Sequence, residues 1–500
     1  ALAAARGESW LPSYGGTVSC EWMLPKILET LRKAPAVFEA AYRFTEAADW
    51  VSRMLTGSET HAAAFAGYKD WFIKTFRKPG YTIEVGSGTN PLPLEQFDEI
   101  SMSLHCWQGD DVVGLEGLGD VESQNLVTGC YPYAAKTGDE LRSDIQMAFS
   151  LSPFKHKVNL HSMYAERKNP RNDLTIEDFR NWVDFAKENG YGLDYNASFF
   201  THPMMNNGFS LACLDKSTRD YWIEAGIDSR EISLAMGREL GQKCFNNIWI
   251  PDGLKDVPVN RYRYRELLIE SLDKILGTPY TEEEHQYAAD VLEGKVFGIG
   301  TEAFVVGSHE FYLGYAATHN CGVTLDTGHF NPTENIPDKL SAYRPFVRDL
   351  MLHISRGIHW DSDHVLIQDD CLMTIMHEMR MGNLYGDVAM GLDFFDASIN
   401  RVACWSIGLR AAAKAVLASL LEPVNLTDPA EVAGDFTSRL MLIDEAKNLP
   451  VNAVWEYMLM KKDIAIGQDA LKAIKTYESA EEVEQYLESG FFKGCGAVIY

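Results

Sequence analysis

Between residues 293 and 393 the chain carries five carboxylates and two imidazoles of a kind that binds divalent metals: Glu293, Asp326, Asp361, Asp363 and Asp393, with His329 and His353. Oxygen-rich donor sets with some imidazole suit Mn²⁺, Mg²⁺ or Co²⁺ better than soft ions. Two ions a few ångströms apart can share one carboxylate, and Asp326, central in the set, is the expected bridge. Lys295 follows Glu293 by two residues. An ammonium beside a metal-ligating carboxylate can polarise a substrate oxygen or hold the charge that develops on it. Each residue also has an ordinary reading. An aspartate at a strand end usually caps a helix or holds a loop, as Asp396 is expected to do. A histidine in an apolar run is as often a core residue, and a lysine is usually at the surface. The coincidence of all of them at one end of the expected fold favours a metal site.

Three further segments read as pocket walls. Residues 103–112 place His105 and Trp107 at a strand end, residues 159–164 do the same for His161, and residues 247–253 for Trp249. Aromatic faces suit the C–H face of a sugar, although tryptophan also fills cores.

These residues need a frame that gathers strand ends. From residue 102 onward, short apolar runs alternate with amphipathic helical patterns. The pattern predicts strands over 102–107, 157–163, 192–198, 245–250, 289–293, 323–326, 351–355 and 388–393. A helix is expected over 175–189, with Thr175 as cap, Asp178 three residues on and Gly190 as stop, and another over 263–276. Eight β/α units suggest an α/β fold closed into a (β/α)₈ TIM barrel, in which active sites lie at the C-terminal ends of the strands, with an open doubly wound sheet as the alternative, although no Gly-rich phosphate loop follows the first strand. Residues 1–98 read as an N-terminal, mostly helical extension, 99–421 as the catalytic barrel, and 422–500 as a C-terminal helical arm. Within that last stretch, helices are expected over 429–446, 451–460 and 480–488, after one over 396–421.

The 500 residues include 71 acidic and 45 basic side chains, a net charge of −26. That charge repels phosphate backbones and disfavours nucleic acid as a partner. A neutral substrate or a metal cation fits it better. No run of about 18 uncharged apolar residues suggests a membrane span. Nine scattered cysteines without a C-x-x-C pair read as reduced thiols of a cytoplasmic protein. The first residue is Ala1, and no signal-peptide pattern follows it.

The segments H-C-W-Q-G-D-D-V (105–112), N-L-H-S-M-Y (159–164), N-I-W-I-P-D-G (247–253), L-D-T-G-H-F (325–330), W-D-S-D-H (360–364) and G-L-D-F-F-D-A-S-I-N-R (391–401) resemble L-rhamnose isomerase. The similarity runs from about residue 99 to 480. It implies a barrel related to xylose isomerase, assembled as a homotetramer, with two divalent ions per subunit. Mn²⁺ is the expected ion, with Zn²⁺, Co²⁺ and Mg²⁺ as alternatives. By motif position the resemblance gives the first ion Glu293, Asp326, His353 and Asp393, and the second Asp326, His329, Asp361 and Asp363. It matches Lys295 to a catalytic lysine beside the substrate O1, and His161 to a histidine that assists ring opening. Met163 and Val112 fall near an apolar pocket for the sugar's methyl group, and Trp107 and Trp249 complete the expected substrate contacts. The segment before residue 99 is longer than the family's usual lead, and the tail after Gly490 is foreign to it.

The implied reaction interconverts L-rhamnose and L-rhamnulose by a metal-assisted hydride shift from C2 to C1, with Asp393, Lys295 and His161 near the reacting atoms. Proton transfer through an enediol is the mechanistic alternative. Rival functions are an isomerase of another neutral aldose, a two-metal hydrolase, or a non-catalytic sugar-binding protein.

Overall fold

The computed structural model describes residues 93–107, 135, 137–166, 170–298, 300–358, 363–394 and 399–479, with residues 33, 35 and 36. The expected N-terminal helices, Val112, Asp361, Asp396 and the helix expected over 480–488 lie outside the described residues.

All eight expected strands form. They are β1 (Ser101–His105), β2 (Lys155–His161), β3 (Gly192–Asn196), β4 (Cys244–Ile248), β5 (Ala288–Glu293), β6 (Gly322–Asp326), β7 (Leu350–Ile354) and β8 (Val388–Leu392). Every neighbouring pair is parallel, and β8 returns to β1, with Ser103 beside Gly391 and Leu104 beside Leu392. Closure leaves no free edge and turns every strand's C-terminal end to one mouth. The strands are almost wholly buried, as expected where helices cover one face and the barrel interior the other.

The ladders stop before the apolar pattern does. β2 ends at His161 and the chain turns at once into a 3₁₀ segment, Ser162–Tyr164, that carries Met163. β3 ends at Asn196, and Ser198 then takes a φ of 52°. Buried aromatic and apolar residues past the ladder line the barrel mouth rather than extend the strand. An antiparallel ribbon of Gly253–Leu254 with Phe304–Val305, not foreseen from the sequence, ties the loops after β4 and β5 together. The backbone of Lys295 joins it through the Gly307 carbonyl, 3.1 Å away.

Helices follow the strands. Thr175 and Asp178 form the expected capping box, but the first turn is 3₁₀ (Ile176–Phe179) before an α-helix over Arg180–Asn189, which Gly190 closes at φ 70°. Helix Arg261–Leu276 begins two residues early because the Asn260 side chain accepts from the Arg263 N–H. Helix Arg401–Leu420 is long and apolar enough to cross a membrane by length and mean hydropathy, although Arg410 and Lys414 interrupt it, so no uncharged run of about 18 residues arises. However, 78% of its apolar stretch is buried inside this protein. Gly408 shows how closely it packs: a Cβ there would lie 2.3 Å from the Phe394 ring.

Residues 421–457 belong to a separate compact unit. In it the single helix expected over 429–446 is two, Val424–Val432 and Phe436–Ala446. Gly434 at φ 73° breaks the run, and Asp435 caps the second helix by accepting from Ser438 N–H. The chain then rejoins the barrel unit. An unforeseen helix, Gln468–Glu478, lays Ala470 and Ile474 against Leu151, and Tyr477 donates to Asp144 at 2.7 Å.

Candidate metal centre

Four strand ends converge. Glu293 is the last residue of β5, Asp326 the last of β6, His353 lies near the end of β7, and Asp393 follows β8. Ladder pairing sets Asp326 beside His353. Donor atoms of Glu293, Asp326, His353 and Asp393 lie within 4.8 Å of one another, and so do those of Asp326, His329 and Asp363. Asp326 is common to both groups. A third group of the same kind joins His105 to His353 and Asp393.

The donors are aimed inward by partners on their other sides. The His329 Nδ1 lies 3.2 Å from the Gly294 carbonyl, which leaves Nε2 directed at Asp326 and Asp363, 3.9 Å from each carboxylate. Fixing one imidazole nitrogen so that the other faces the ion is the usual arrangement around a metal. Asn247 on β4 donates to Glu293 Oε2 and accepts from Thr324 on β6. Ser355 donates to Asp363 Oδ1 at 2.9 Å, and Trp107 Nε1 donates to Asp393 Oδ1 at 2.7 Å. Gly328 N–H donates to Asp326 Oδ1 at 2.7 Å.

Two atoms stand out by contrast. Asp326 Oδ2 is buried and makes no hydrogen bond, and the buried His353 Nδ1 faces carboxylate oxygens, 3.2 Å from Glu293 Oε2 and from Asp393 Oδ2. A divalent cation bound among these donors would satisfy both atoms at once. The donor chemistry, carboxylates with imidazole, fits a hard or borderline divalent ion.

Electrostatics agree. Burial and repulsion from Asp363, Glu293 and Asp393 push the Asp326 carboxyl well above its ordinary range. Burial alone would lower His353, but the carboxylates of Glu293 and Asp393 outweigh it and hold the imidazole up to about 10. His105, by contrast, is lowered to about 4, chiefly by burial. A metal-free pocket at neutral pH therefore holds a proton on His353 that a cation must displace. That proton favours the metal-free fold below the free imidazole's pKa of about 6.5, and the benefit is lost as pH rises through about 10. Metal affinity rises over the same span. Titrating Mn²⁺ calorimetrically at pH 7 in buffers of different ionisation enthalpy is expected to show release of at least one proton per chain; buffer-independent heats would contradict this.

Lys295 lies in the loop after β5, half-buried, its Nζ 5.1 Å from the centroid of the Trp249 ring. Trp249 meets Phe200 edge to face at 5.1 Å and tilts against His329 at 6.4 Å. His161 is buried behind Trp107, ring centroids 4.1 Å apart, and Met163 is buried beside it in the chain. Asn247, Thr324, Ser355 and Ser198 carry no sequence signal, because an isolated polar residue in an apolar strand has no periodicity and meets its partner only across the closed barrel. His105 was visible as a pocket residue but not as a partner of His353.

Gly328 is the tightest point. A Cβ there would lie 1.8 Å from Asp363 Oδ1 and 2.7 Å from Ser355 Oγ. Gly328→Ala is expected to swing the Asp363 carboxylate away and empty the second group alone. Metal analysis should show loss of about one ion per chain, with activity down on the order of 100-fold or more. Full metal content would contradict this placement of Asp363.

A family model described as L-rhamnose isomerase (RhaA) matches residues 81–484. The chain is 48% identical over 389 residues to an L-rhamnose isomerase of Rhodopirellula baltica, covering 77% of this chain and 90% of that protein. It is 46% identical over 388 residues to one of Listeria monocytogenes, covering 77% and 92%. It is 47% identical over 411 residues to one of Pectobacterium carotovorum, covering 82% and 96%. Residues 1–80 lie outside the family match, which begins somewhat earlier than the motifs alone suggest.

Proposed function

The chain belongs to the L-rhamnose isomerase family and is an aldose–ketose isomerase that interconverts L-rhamnose and L-rhamnulose; from this premise we propose which residues do the work. The family implies a divalent metal, and the described residues include groups able to hold one. On our reading two ions are held per chain. Glu293, Asp326, His353 and Asp393 take the first, and Asp326, His329, Asp363 and Asp361 the second. Mn²⁺ fits this mixed set best, with Co²⁺, Mg²⁺ and Zn²⁺ as substitutes. Bound there, the ions would polarise O1 and O2 of the open-chain sugar and stabilise negative charge on them.

The protein's own residues do the rest. On this reading the Lys295 ammonium, which lies over the Trp249 ring at 5.1 Å, serves the O1 side of the sugar. It holds charge on O1 as the hydrogen at C2 moves with its electron pair to C1 and the O2 proton is passed to O1. Among the described residues, the carboxylates gathered at the centre all fall in groups able to hold an ion, leaving none of these as a base at C2. That favours the hydride shift over the enediol route. Trp249, Phe200, Trp107 and Met163 are the proposed walls around the sugar, excluding water and pressing on its C–H face.

We also propose a homotetramer in a reducing, cytoplasmic setting. The described cysteines are free thiols. Helices Val424–Val432 and Phe436–Ala446 expose Val432, Phe436, Leu440 and Met441, the apolar cover an assembly surface needs. Light scattering of the intact protein tests the stoichiometry.

The observation that carries the metal reading is the convergence of donor atoms from Glu293, Asp326, His353 and Asp393, and from Asp326, His329 and Asp363, each group within 4.8 Å. Its test is chelator-stripped protein incubated with L-rhamnose, with and without Mn²⁺, followed by ketose formation. Turnover that returns only with metal supports it. Turnover undiminished after stripping would remove the metals from the mechanism. Absence of turnover with each of the four ions, in folded protein, would sink the assignment of this site.

A further inference from the structure

Three imidazoles form one hydrogen-bonded row across the barrel mouth. His353 Nε2 lies 3.2 Å from His105 Nε2, and His105 Nδ1 lies 3.0 Å from His161 Nε2. His161 Nδ1 ends the row on Ser198 Oγ at 3.1 Å. His353, His105, His161 and Ser198 are all at most 1% exposed. The row begins at a ligand of the first ion and ends behind the sugar site.

Barrel register makes the row possible. His105 pairs with Asn159 in the β1–β2 ladder, so His161, two residues on, stands diagonally beside it. The far end is fixed by a strained loop. Ser198 and Thr201 hold φ of 52° and 47°, conformations that residues with a Cβ adopt at a cost. The buried Arg171 guanidinium stabilises them by donating to the carbonyls of Ser198, Phe200 and Thr201. Ser198 Oγ also accepts from the Ser162 N–H, which sets the hydroxyl beside His161.

Each nitrogen–nitrogen contact needs one N–H and one lone pair. The direction of one bond therefore decides the next. When an ion takes the Nδ1 lone pair of His353, the proton must sit on Nε2 and point at His105. His105 then accepts at Nε2 and donates from Nδ1, so His161 accepts at Nε2 and carries its own proton on Nδ1, toward Ser198. Both ring nitrogens of His161 are thereby engaged within the protein.

We propose that His105 is a positioning residue of this isomerase: by accepting from His353 and donating to His161 it holds the Nε2 proton of His353 away from the ion and locks His161 in a single tautomer. It rests on the reading of His353 as a metal ligand. His105 acts through its neighbours and does not touch the sugar. A histidine whose second nitrogen is fixed by a partner binds its metal more tightly, typically by 10- to 100-fold, and here the partner is another histidine rather than a carboxylate or a carbonyl.

The test compares His105→Phe with His105→Gln. The phenyl ring keeps the contacts with Trp107, His161 and His353, whose centroids lie 5.7, 5.1 and 4.5 Å from that of His105, but removes both hydrogen bonds. The glutamine amide can accept on one side and donate on the other. In the full-length protein, Zn²⁺ affinity by calorimetry is expected to fall roughly 10- to 100-fold at one of two sites in the phenylalanine variant and to recover most of that in the glutamine variant. With ¹⁵N-histidine in the Zn²⁺-loaded wild-type protein, His161 should carry its proton on Nδ1 alone; in His105→Phe it should lose that preference. Unchanged affinity and an unchanged His161 spectrum in folded His105→Phe would overturn the proposal, as would a wild-type His161 protonated on Nε2. His353→Asn serves as the separate control. If it keeps both ions, the ligand reading fails, whatever His105 does.

Discussion

Asp326→Asn is expected to yield a folded protein that binds neither ion firmly and isomerises L-rhamnose on the order of 10⁴-fold more slowly or worse. The argument is geometric. Asp326 is wholly buried, and its Oδ1 is committed to the Gly328 N–H. Its free Oδ2 lies 3.8 Å from His353 Nδ1 and 3.9 Å from His329 Nε2, between the two donor groups. An asparagine that keeps the Gly328 bond must present its NH₂ to both cations, a donor where each needs an acceptor. Each ion supplies several kcal/mol of charge stabilisation, so losing two costs four or more decades at about 1.4 kcal/mol per decade. The same change removes one negative charge from a buried cluster whose mutual repulsion already raises the Asp326 carboxyl. The metal-free variant should therefore melt no lower than metal-free wild type. Elemental analysis, steady-state rates and thermal denaturation together check this. A variant that keeps both ions would show that Asp326 is not shared.

Lys295→Met should give a different loss. Methionine keeps much of the stem against the Trp249 face and deletes the charge. A positioned cation that acts on developing negative charge contributes little to ground-state binding. Removing one such donor costs roughly 10²- to 10³-fold in kcat. KM is expected to move by no more than a few-fold, and metal content to stay at the wild-type value. A large rise in KM at constant kcat would place Lys295 in substrate binding only, and loss of metal would place it in the centre's architecture.

Much of the frame could be read from the chain alone, because a parallel barrel strand is a short apolar run and its helix an amphipathic one. The strand ends were harder. Trp107, Met163 and Ser198 continue the pattern of their strands, but they lie past the ladder, where burial comes from the barrel mouth. The two-residue ribbon at Gly253–Leu254 has no period to detect. The helix break at Gly434 follows from a backbone conformation, which composition does not reveal. The candidate ligands were legible because Glu293, Asp326 and Asp393 terminate strands, where few structural duties call for a carboxylate. Their supports were not. Asn247 holds Glu293 across 46 residues and Ser355 holds Asp363 across 8, and neither pairing has a motif. The row from Ser198 to His353 needs the register of β1 on β2 and the seam between β1 and β8, which only the closed barrel supplies.

That seam bears on how the protein is made. Translation delivers β1 first and β8 nearly three hundred residues later, and the barrel cannot close until Val388–Leu392 pairs with both β1 and β7. Asp393, beside the seam, is the last of the proposed ligands to emerge from the ribosome. A nascent chain paused before that point offers scattered carboxylates and no cage, so it has little to distinguish the right cation from any other. On the ligand set proposed above, the cage is therefore complete only in the finished chain, after the β8 strand has closed the barrel.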